Sequence, residues 1–542
     1  MKRNFLTLVC LFFLAMGSFA QARPKLVVGI IVDQMRWDYL MRYQSRYGEG
    51  GFKRLMRDGF NCENCQINYI PTITAIGHTS VYTGSVPSIH GIAGNSFRLG
   101  NQWVNCTDDP NVSGVGTSGT QGKKSPHNML TTTMGDELKL ATNFRSKVIG
   151  VALKDRAAIF PAGHCADAAY WYDSETCGFI SSTYYMKELP QWVKDFNNRK
   201  LAQQYLSEKW ETLYPIDTYE QSTADNAPYE YAFADDMTAT FPHDIPAIYK
   251  KSGASVLSST PAGMKFTFEM AKAALVGEQL GKHNDCDFLA VSISPSDYIG
   301  HQFGVNAVEI EDAYLRLDLN LADFLSTLDR QVGKGKYLVF LTADHAGAHN
   351  LSFSMDHGIL EETANVSGAA KALDKYLQEE YKSEARFVYK NSNNQIFINH
   401  EVVAEAGLNL KEVVKKSVEW LKQDPHFAYV ADMEELASSS IPQPIRERAI
   451  NGYNRLRSGD IQVVLQPASY STSHKKNIKG TTHGAWNPYD SHIPCIFMGW
   501  NVPKGYTNQE VHITDIAATV CAMLHVQMPN GCIGQPILPI TK

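Results

Sequence analysis

The sequence is poor in long apolar runs. Beyond the apolar segment Phe5 to Ala15, no stretch is both long enough and free enough of charge to span a bilayer, and that first segment is itself too short. It follows two basic residues and precedes small residues around Ala20, which is the pattern of a secretory signal peptide. We therefore predict a signal peptide over residues 1–20, a mature chain from about Gln21, no membrane anchor and a periplasmic location.

The chain also lacks an excess of positive charge. Lys and Arg number 50 against 56 Asp and Glu, a formal net charge of −6 at pH 7, and loss of the two basic residues of the signal peptide makes it −8. Nucleic-acid binding depends on Lys and Arg set against phosphates, so we predict no nucleic-acid partner.

The sequence contains no internal repeat. More than 500 residues can bury a large core.

Cysteines are few, with ten in 542 residues and nine beyond the signal peptide. Because nine is odd, at least one thiol is free or bonded to another chain, even where others pair in an oxidising periplasm. Cys62 and Cys65 form a CxxC motif, but no second pair stands at zinc-ribbon spacing. A local disulfide and two free thiols remain the alternatives for this pair.

Three predicted buried strands each precede an acidic residue. The apolar runs KLVVGIIV, DFLAVSIS and YLVFLTA are typical of parallel strands covered on both faces, and they lead to Asp33, Asp297 and Asp344. His301 follows four residues after the second acid, and His345 directly follows the third. Ligands in open α/β sheets bind beyond the carboxyl ends of strands. The pattern therefore predicts an α/β fold with a site at that edge.

A late loop, Thr481 to Gly484, adds a third histidine, His483. Any one of these acids or histidines alone is more often structural than functional. Together, three carboxylates and three imidazoles make two three-ligand sites of mixed nitrogen and oxygen character, which suits zinc. Two such ions roughly 3.5–4 Å apart can clamp the attacking and leaving oxygens of a displacement.

The segment NYIPTITAIGHTS contains the candidate nucleophile, Thr74. Pro71 biases Ile70 toward extended backbone, and the small and apolar residues from Ala75 onward can start a helix. Thr74 is then expected near the positive end of that helix, where an alkoxide is stabilised if a metal or base assists. The alternative is that these threonines are ordinary turn and cap residues.

Three more residues are candidates for binding an anion. The turn-rich loop VYTGSVPSIHGIAGN ends at Asn95, whose amide could face an anion or serve the turn. The predicted strand Ser146 to Leu153 runs into Lys154 and Arg156. Two residues apart in an extended segment, these cations point the same way and could reach one anion. A charged strand end facing water is the alternative.

The remaining sequence predicts one α/β domain over residues 21–542 with two insertions. Residues 160–283 are rich in aromatic and turn residues and predict a cap with its own small core; a nucleobase-stacking platform is the alternative for its aromatic residues. A strongly periodic helix is expected over Val308 to Leu328. Residues 357–459 predict a small α/β subdomain, after which Asp460 to Gln466 is expected to return to the central sheet.

Several motifs together resemble one family, the PafA-type (phosphate-irrepressible) alkaline phosphatases, which are secreted bacterial monoesterases of the alkaline phosphatase superfamily. The segments are VVGIIVDQMRWDYL, NYIPTITAIGHTSVYTGSVPSIHGIAGN, ALKDRA, SDYIGHQFG, ADHAGAH and THG. The likeness runs from about Lys25 to the C-terminus. It implies an alkaline phosphatase-like α/β fold, with a largely parallel central sheet flanked by helices and with capping insertions. One departure is Ala346, where the family pattern has glycine.

The resemblance also implies roles for the site residues. Thr74 is the implied nucleophile. The implied ligands of two Zn²⁺ ions are Asp297, His301 and His483 for one, and Asp33, Asp344 and His345, with Thr74, for the other. Asn95, Lys154 and Arg156 match the family's phosphate-binding positions. The implied reaction is hydrolysis of small-molecule phosphate monoesters through a phosphothreonine intermediate, with release of inorganic phosphate.

Three other functions are alternatives to this one. A phosphodiesterase or nucleotide pyrophosphatase of the same superfamily would use the same six ligands and the same threonine. A monoester carries a dianionic phosphoryl group and a diester a single charge, so Lys154 and Arg156 favour the monoester. A sulfatase would need a Cys/Ser-x-Pro-x-Arg segment, which the sequence lacks. Intact ligands and nucleophile argue against an inactive secreted binding protein.

Overall fold

Strand Leu26–Val32 lies at the centre of the main sheet in the computed structural model, which describes residues 23–234, 237–360 and 362–541. The predicted signal peptide lies outside the described residues. The strands, in chain order, are β1 Leu26–Val32, β2 Phe60–Cys62, β3 Cys65–Gln66, β4 Ser96–Leu99, β5 Gln102–Asn105, β6 Gly114–Val115, β7 Val148–Ala152, β8 Ala168–Asp173, β9 Gly178–Ser182, β10 Asp287–Ile293, β11 Tyr337–Thr342, β12 Val388–Ser392, β13 Gln395–Ile398, β14 Phe427–Asp432, β15 Ile461–Leu465, β16 His492–Ile493, β17 Cys495–Gly499, β18 Gly505–Thr507 and β19 Val511–His512.

The main sheet has ten strands in the order β18-β2-β17-β11-β1-β10-β7-β8-β9-β6. The five strands from β11 to β8 are parallel, and antiparallel partners follow on both sides, β17 beside β11 and β9 beside β8. Every residue of β1, β10 and β11 is buried, because these continuous apolar runs are covered on both faces. The predicted α/β fold with a largely parallel central sheet is confirmed.

Helices flank this sheet. Pro261–Gly277 contacts β10 and β7, and Asp155–Ala162 contacts β7 and β8. The α-helices are Tyr39–Arg42, Phe52–Asp58, Thr74–Thr83, Pro87–His90, Met134–Ala141, Asp155–Ala162, Gln191–Asn198, Leu201–Tyr205, Ile245–Ser252, Pro261–Gly277, Pro295–Phe303, Val308–Leu328, Leu351–Asp356, Val366–Tyr381, His400–Glu405, Leu410–Leu421, Gln443–Gly452, Pro488–Ser491, Asp515–Leu524 and Leu538–Thr541. In the part of the chain that the structure describes, no helix has both the length and the apolarity needed to cross a membrane.

The region expected to form a cap contributes two strands to the main sheet. β8 and β9 lie within it. The side chains of Tyr170 and Tyr172 are buried in the main core and that of Trp171 in a second cluster with helix Asp155–Ala162, so a separate small core for these three is wrong. Aromatic residues fit a pleated, buried surface as well as aliphatic ones do. β8 is rich in aromatic residues, so a pattern of aliphatic runs does not predict it.

The rest of this region, from about residue 184 to 260, packs against helix Val308–Leu328 through polar contacts. Asp312 accepts hydrogen bonds from Trp210 Nε1 at 2.7 Å and from the Tyr219 hydroxyl at 2.6 Å. Glu309 lies 2.8 Å from His243 Nε2. Both acids are fully buried. Asp312 and Glu309 therefore dock the insertion on this helix, as buried polar groups require partners.

The second predicted insertion supplies three strands of a four-stranded sheet in the order β12-β13-β15-β14, which has its own apolar core, and β15 follows the insertion in the chain. Helices Val366–Tyr381 and Leu410–Leu421 pack on that core. β15 pairs with β13 and β14. The expectation that Asp460 to Gln466 returns to the central sheet is therefore wrong, because an apolar run identifies a buried strand without identifying its partner.

Candidate active site

Adjacent parallel strands bring the predicted acids together. β11, β1 and β10 are neighbours, with Val32 opposite Ile293 and Ile31 opposite Thr342. The chain leaves β1 at Asp33, enters a helix after β10 that carries Asp297, and leaves β11 just before Asp344. All three acids therefore lie at the carboxyl edge of the sheet.

One cluster consists of Asp33, Asp344 and His345, all fully buried. His345 Nε2 lies 3.5 Å from Asp33 Oδ1 and 3.3 Å from Asp344 Oδ2. Neither of these carboxylate oxygens has a hydrogen-bond partner within residues 23–234, 237–360 and 362–541. Burial and the nearby Asp344 carboxylate raise the pKa of Asp33 well above its usual range. A bound cation would offset this cost.

The second cluster consists of Asp297, His301 and His483. Asp297 and His301 stand four residues apart on helix Pro295–Phe303, one turn of the same face. Asp297 Oδ1 is 3.1 Å from His301 Nε2 and 3.6 Å from His483 Nε2. His483 lies on a loop that is far in sequence from this helix. Each cluster thus groups one or two carboxylates with one or two imidazoles.

The three histidines share one hydrogen-bonding arrangement. Each Nδ1 faces a backbone carbonyl: Thr481 O at 2.8 Å from His301, Ala346 O at 2.9 Å from His345, and Thr72 O at 2.6 Å from His483. A carbonyl can only accept, so Nδ1 carries the proton and Nε2 presents a lone pair toward the cluster. This is the usual outer support of metal-binding histidines. Burial also lowers the pKa of His345 and of His483, which favours neutral rings. For His301 the Asp297 carboxylate outweighs burial and raises the pKa, so this ring binds a metal only by giving up the proton that Asp297 favours.

Thr74 is the first residue of helix Thr74–Thr83, as its sequence context predicted. Its Oγ1 lies 3.3 Å from His345 Nε2 and 3.5 Å from Lys154 Nζ. The helix passes so close to the strand end that a Cβ on Gly77 would lie 2.1 Å from Asp344 O, so only glycine fits there. The hydroxyl is therefore held at a helix N-terminus and against the first cluster.

Lys154 links the two clusters. Its ammonium donates to Asp33 Oδ2 at 2.8 Å and to Asp297 Oδ2 at 2.5 Å, and its side chain is almost fully buried. Lys154 is the N-cap of helix Asp155–Ala162, and Arg156 lies in the first turn. The expectation that both cations share an extended segment is therefore wrong. The strand ends at Ala152, and a helix begins before Arg156.

Arg156 and Asn95 lie beside this centre. Arg156 Nη1 is 3.6 Å from Asp155, and its buried Nε has no hydrogen-bond partner among the residues the structure describes. Asn95 Oδ1 accepts from the backbone N–H of Ala75 at 3.0 Å. That bond fixes the amide at the start of the Thr74 helix and leaves its NH₂ group as a donor.

Two supporting residues escaped the sequence analysis. Gln34 donates from Nε2 to Asp297 Oδ1 at 2.7 Å and from its backbone N–H to Asp344 Oδ1 at 3.2 Å. Its φ of 62° is uncommon for a residue with a side chain. His78 Nδ1 lies 3.2 Å from Asp344 Oδ2. Its position one helical turn after Thr74 was a signal that could have identified it.

The cysteines of the CxxC motif lie away from this centre, with both thiols free and buried. The free-thiol alternative is the one observed.

Ala346 is also fully buried, and its N–H donates to Asp490 O at 2.9 Å. The side chain of Ala346, which stands where the family pattern has glycine, thus fits in the buried interior.

Comparison with known proteins places these residues in context. The chain matches the family model described as type I phosphodiesterase / nucleotide pyrophosphatase over residues 27–488. A protein of Myroides odoratus named calcium-transporting ATPase is 50% identical, covering 99% of this chain and 98% of that protein. Alkaline phosphatase PafA of Elizabethkingia meningoseptica is 48% identical, covering 97% of this chain and 96% of that protein. The crystal structure of wild-type PafA matches with a TM-score of 0.93 at 47% identity, covering 96% of this chain and 99% of that one.

Proposed function

This chain belongs to the type I phosphodiesterase / nucleotide pyrophosphatase family, as an alkaline phosphatase of the PafA type, and from that premise we propose a secreted, zinc-dependent phosphomonoesterase that works through a phosphothreonine. The observation that carries the proposal is the position of the Thr74 hydroxyl. It lies at a helix N-terminus, 3.3 Å from His345 and 3.5 Å from the Lys154 ammonium, which bridges the two ligand clusters.

The donor set supports two zinc ions. Asp33, Asp344 and His345 would hold one, with Thr74 as a further ligand, and Asp297, His301 and His483 the other. Mixed imidazole and carboxylate ligands suit zinc. The Asp33 Oδ1 atom, which has no hydrogen-bond partner among the described residues, supports a cation there, since an unpaired buried acceptor is costly. When bound, the ions would supply Lewis-acid activation of a hydroxyl and stabilisation of a leaving oxygen.

The chain's own residues then account for the steps. Thr74 gives up its hydroxyl proton, and Oγ1 forms a bond to phosphorus as the bond from phosphorus to the ester oxygen breaks. The ester oxygen takes up a proton and departs as the alcohol. The Lys154 ammonium and the helix N-terminus stabilise negative charge on Oγ1. Water then hydrolyses the phosphothreonine, which restores Thr74 and releases inorganic phosphate.

Three residues are proposed to hold the non-bridging oxygens of the phosphoryl group: Lys154, Arg156 and Asn95. Two of them are cations, and the third presents an oriented amide. Positioning and charge stabilisation carry most of the catalysis of phosphoryl transfer. A dianionic group gains more from two cations than a singly charged diester does. This charge balance favours monoesters as substrates.

A phosphodiesterase or nucleotide pyrophosphatase activity is the second candidate, because the matching family model carries that description. A turnover panel on one zinc-loaded preparation separates the two. We expect a phosphate monoester to be hydrolysed with a much higher kcat/KM than a diester, and a sulfate ester to be the poorest. A diester preferred over the monoester would contradict the proposal, as would absence of turnover on all three.

Two further features belong to the proposal. We propose that export removes residues 1–20, so N-terminal sequencing of the periplasmic protein should begin near Gln21. We also propose that the part of the first insertion from about residue 184 to 260 caps the site, and that the second insertion, together with β15, forms a separate subdomain. The backbone N–H of Tyr231 donates to Gln302 O, and that of Gly480 donates to Tyr229 O at 2.6 Å. The insertion thereby contacts the helix and the loop that carry His301 and His483.

A further inference from the structure

A cavity of about 480 Å³ lies between helix Pro295–Phe303 and the capping insertion. Tyr298 and Gln302 line it from the helix. Tyr172, Phe233 and the short 3₁₀ helix Ala254–Ser259 line it from the other side. Its volume falls within the roughly 300–1,000 Å³ that is usual for small-molecule sites. The mechanism above does not use it.

This cavity adjoins the candidate active site through a single helix. Asp297 and His301 face the second cluster, and Tyr298 and Gln302 each follow one residue later. One residue is a rotation of about 100° in an α-helix, so the two pairs form neighbouring stripes. The Tyr298 ring centre is 4.9 Å from Lys154 Nζ, and Leu153, which directly precedes Lys154, also lines the cavity.

The cavity lies on the side of the site from which the alcohol part of the substrate is expected to leave. In the proposed function, Thr74 attacks from beside Asp33, Asp344 and His345. An in-line displacement puts the leaving oxygen on the far side of phosphorus, toward Asp297 and His301. An alcohol leaving on that side meets the stripe of Tyr298 and Gln302 next.

Within the described residues, the lining carries no charge and mixes polar groups with aromatic and aliphatic side chains. Five serine hydroxyls and two glutamine amides surround three aromatic rings, and none of the lining side chains within the described ranges is ionised. Serine hydroxyls and glutamine amides both donate and accept hydrogen bonds, which suits an alcohol that carries several hydroxyl groups. No lining side chain offers a cation to a second anionic group on the alcohol, and the nearby Lys154 ammonium is already shared by Asp33 and Asp297.

We propose that this cavity binds the alcohol part of the substrate, and that the preferred monoesters are phosphates of sugars or other polyols. This inference rests on the proposed function and names its substrate class. The rings of Tyr298 and Phe233 would cover the carbon skeleton, and Gln302 and the serines would pair with its hydroxyls.

The test compares three esters of primary alcohols: methyl phosphate, n-hexyl phosphate and a hexitol 1-phosphate. The first variant, Gln302→Leu with Ser259→Ala, removes two polar groups from the lining. The second, Ser255→Trp, fills the cavity from an exposed position and so spares the fold. Ser207→Ala, at an exposed serine elsewhere in the insertion, is the matched control. Each kcat/KM is expressed relative to wild type for the same ester, which cancels differences in leaving-group acidity.

We expect the first variant to lose about 5- to 150-fold on the hexitol phosphate, from two neutral hydrogen bonds, and less than about threefold on methyl phosphate. Ser255→Trp should lower both six-carbon esters and spare methyl phosphate. Equal losses on all three esters, or no loss on the hexitol phosphate in either variant, would overturn the inference while leaving phosphomonoesterase activity in place. If wild type hydrolyses none of the three esters, both the inference and the proposed function are wrong.

Discussion

The contribution of Arg156 can be separated from the integrity of the metal-ligand clusters. Lys154 donates to a carboxylate of each cluster, whereas the nearest carboxylate to Arg156 is that of Asp155, outside both clusters, at 3.6 Å. Its buried Nε has no partner among the described residues, so it is available to a phosphoryl oxygen. Arg156→Ala should therefore remove a phosphate contact and leave both clusters unchanged.

The size of the effect follows from the charge on the contact. A hydrogen bond to a charged group contributes roughly 1.5–3 kcal/mol, which corresponds to about a 10- to 150-fold loss of monoester kcat/KM. A diester carries less charge and should lose much less. Lys154→Ala with Arg156→Ala should cost about two to four powers of ten on monoesters. That double variant also leaves Asp33 and Asp297 without their shared counter-charge, so the single Arg156 variant is the sharper test.

The assay is kcat/KM for one monoester and one diester in wild type and in each variant, with zinc content measured on the same samples. Arg199→Ala, at an exposed arginine of the insertion, is the control and should match wild type on both esters. Equal proportional losses on the two ester types in Arg156→Ala, with unchanged zinc content, would refute discrimination by charge. The diesterase alternative would then gain support.

Three other predictions concern the nucleophile, the metal and the cap. Thr74→Ala should abolish the covalent phosphoenzyme detected by mass spectrometry. Thr74→Ser should retain part of the activity, because the hydroxyl remains. Phosphate found on another residue in Thr74→Ala would contradict the assignment. Chelation should abolish turnover, and added zinc should restore it. His301→Ala should bind less zinc than the control His349→Ala. Full activity without metal would exclude the proposed zinc dependence. Burial and the nearby carboxylates Glu309 and Asp225 raise the pKa of Glu230 to about 10, from about 4.3 in an unfolded chain. The folded state then holds a proton that the unfolded state loses, so this stabilisation is complete below about pH 4 and declines as pH rises toward 10. Glu230→Gln should flatten the fall of Tm between pH 6 and pH 10, and an unchanged slope would show that Glu230 ionises normally.

The parts of the site that the sequence could predict are local. β1, β10 and β11 are continuous apolar runs, and an acid or an Asp-His pair at the end of each run is placed by the strand itself. The helix start at Thr74 follows from Pro71 and the residues after it. Parallel pairing of neighbouring strands then brings these ends together without further information.

The parts that local pattern cannot place depend on contacts between distant segments. The sequence identifies His483 as a candidate ligand, but its position in the cluster depends on the bond from its Nδ1 to Thr72 O, more than 400 positions earlier in the chain. β15 joins the small sheet because β13 and β14 are its partners. The left-handed backbone of Gln34 likewise follows from the two carboxylates it must reach, one on each side of β1. None of these partners is encoded in the local pattern.

Helix Pro295–Phe303 explains how the chemistry and the choice of alcohol can be set by different parts of the chain. One stripe carries Asp297 and His301, whose positions depend on β10 and on the sheet edge. The next stripe carries Tyr298 and Gln302, which face side chains supplied by the insertion. Changes in the insertion can therefore alter the cavity that faces the alcohol and leave the ligand clusters, Thr74 and Lys154 in place. Selectivity among alcohols should follow the insertion, while the rate on the smallest esters should follow the sheet edge.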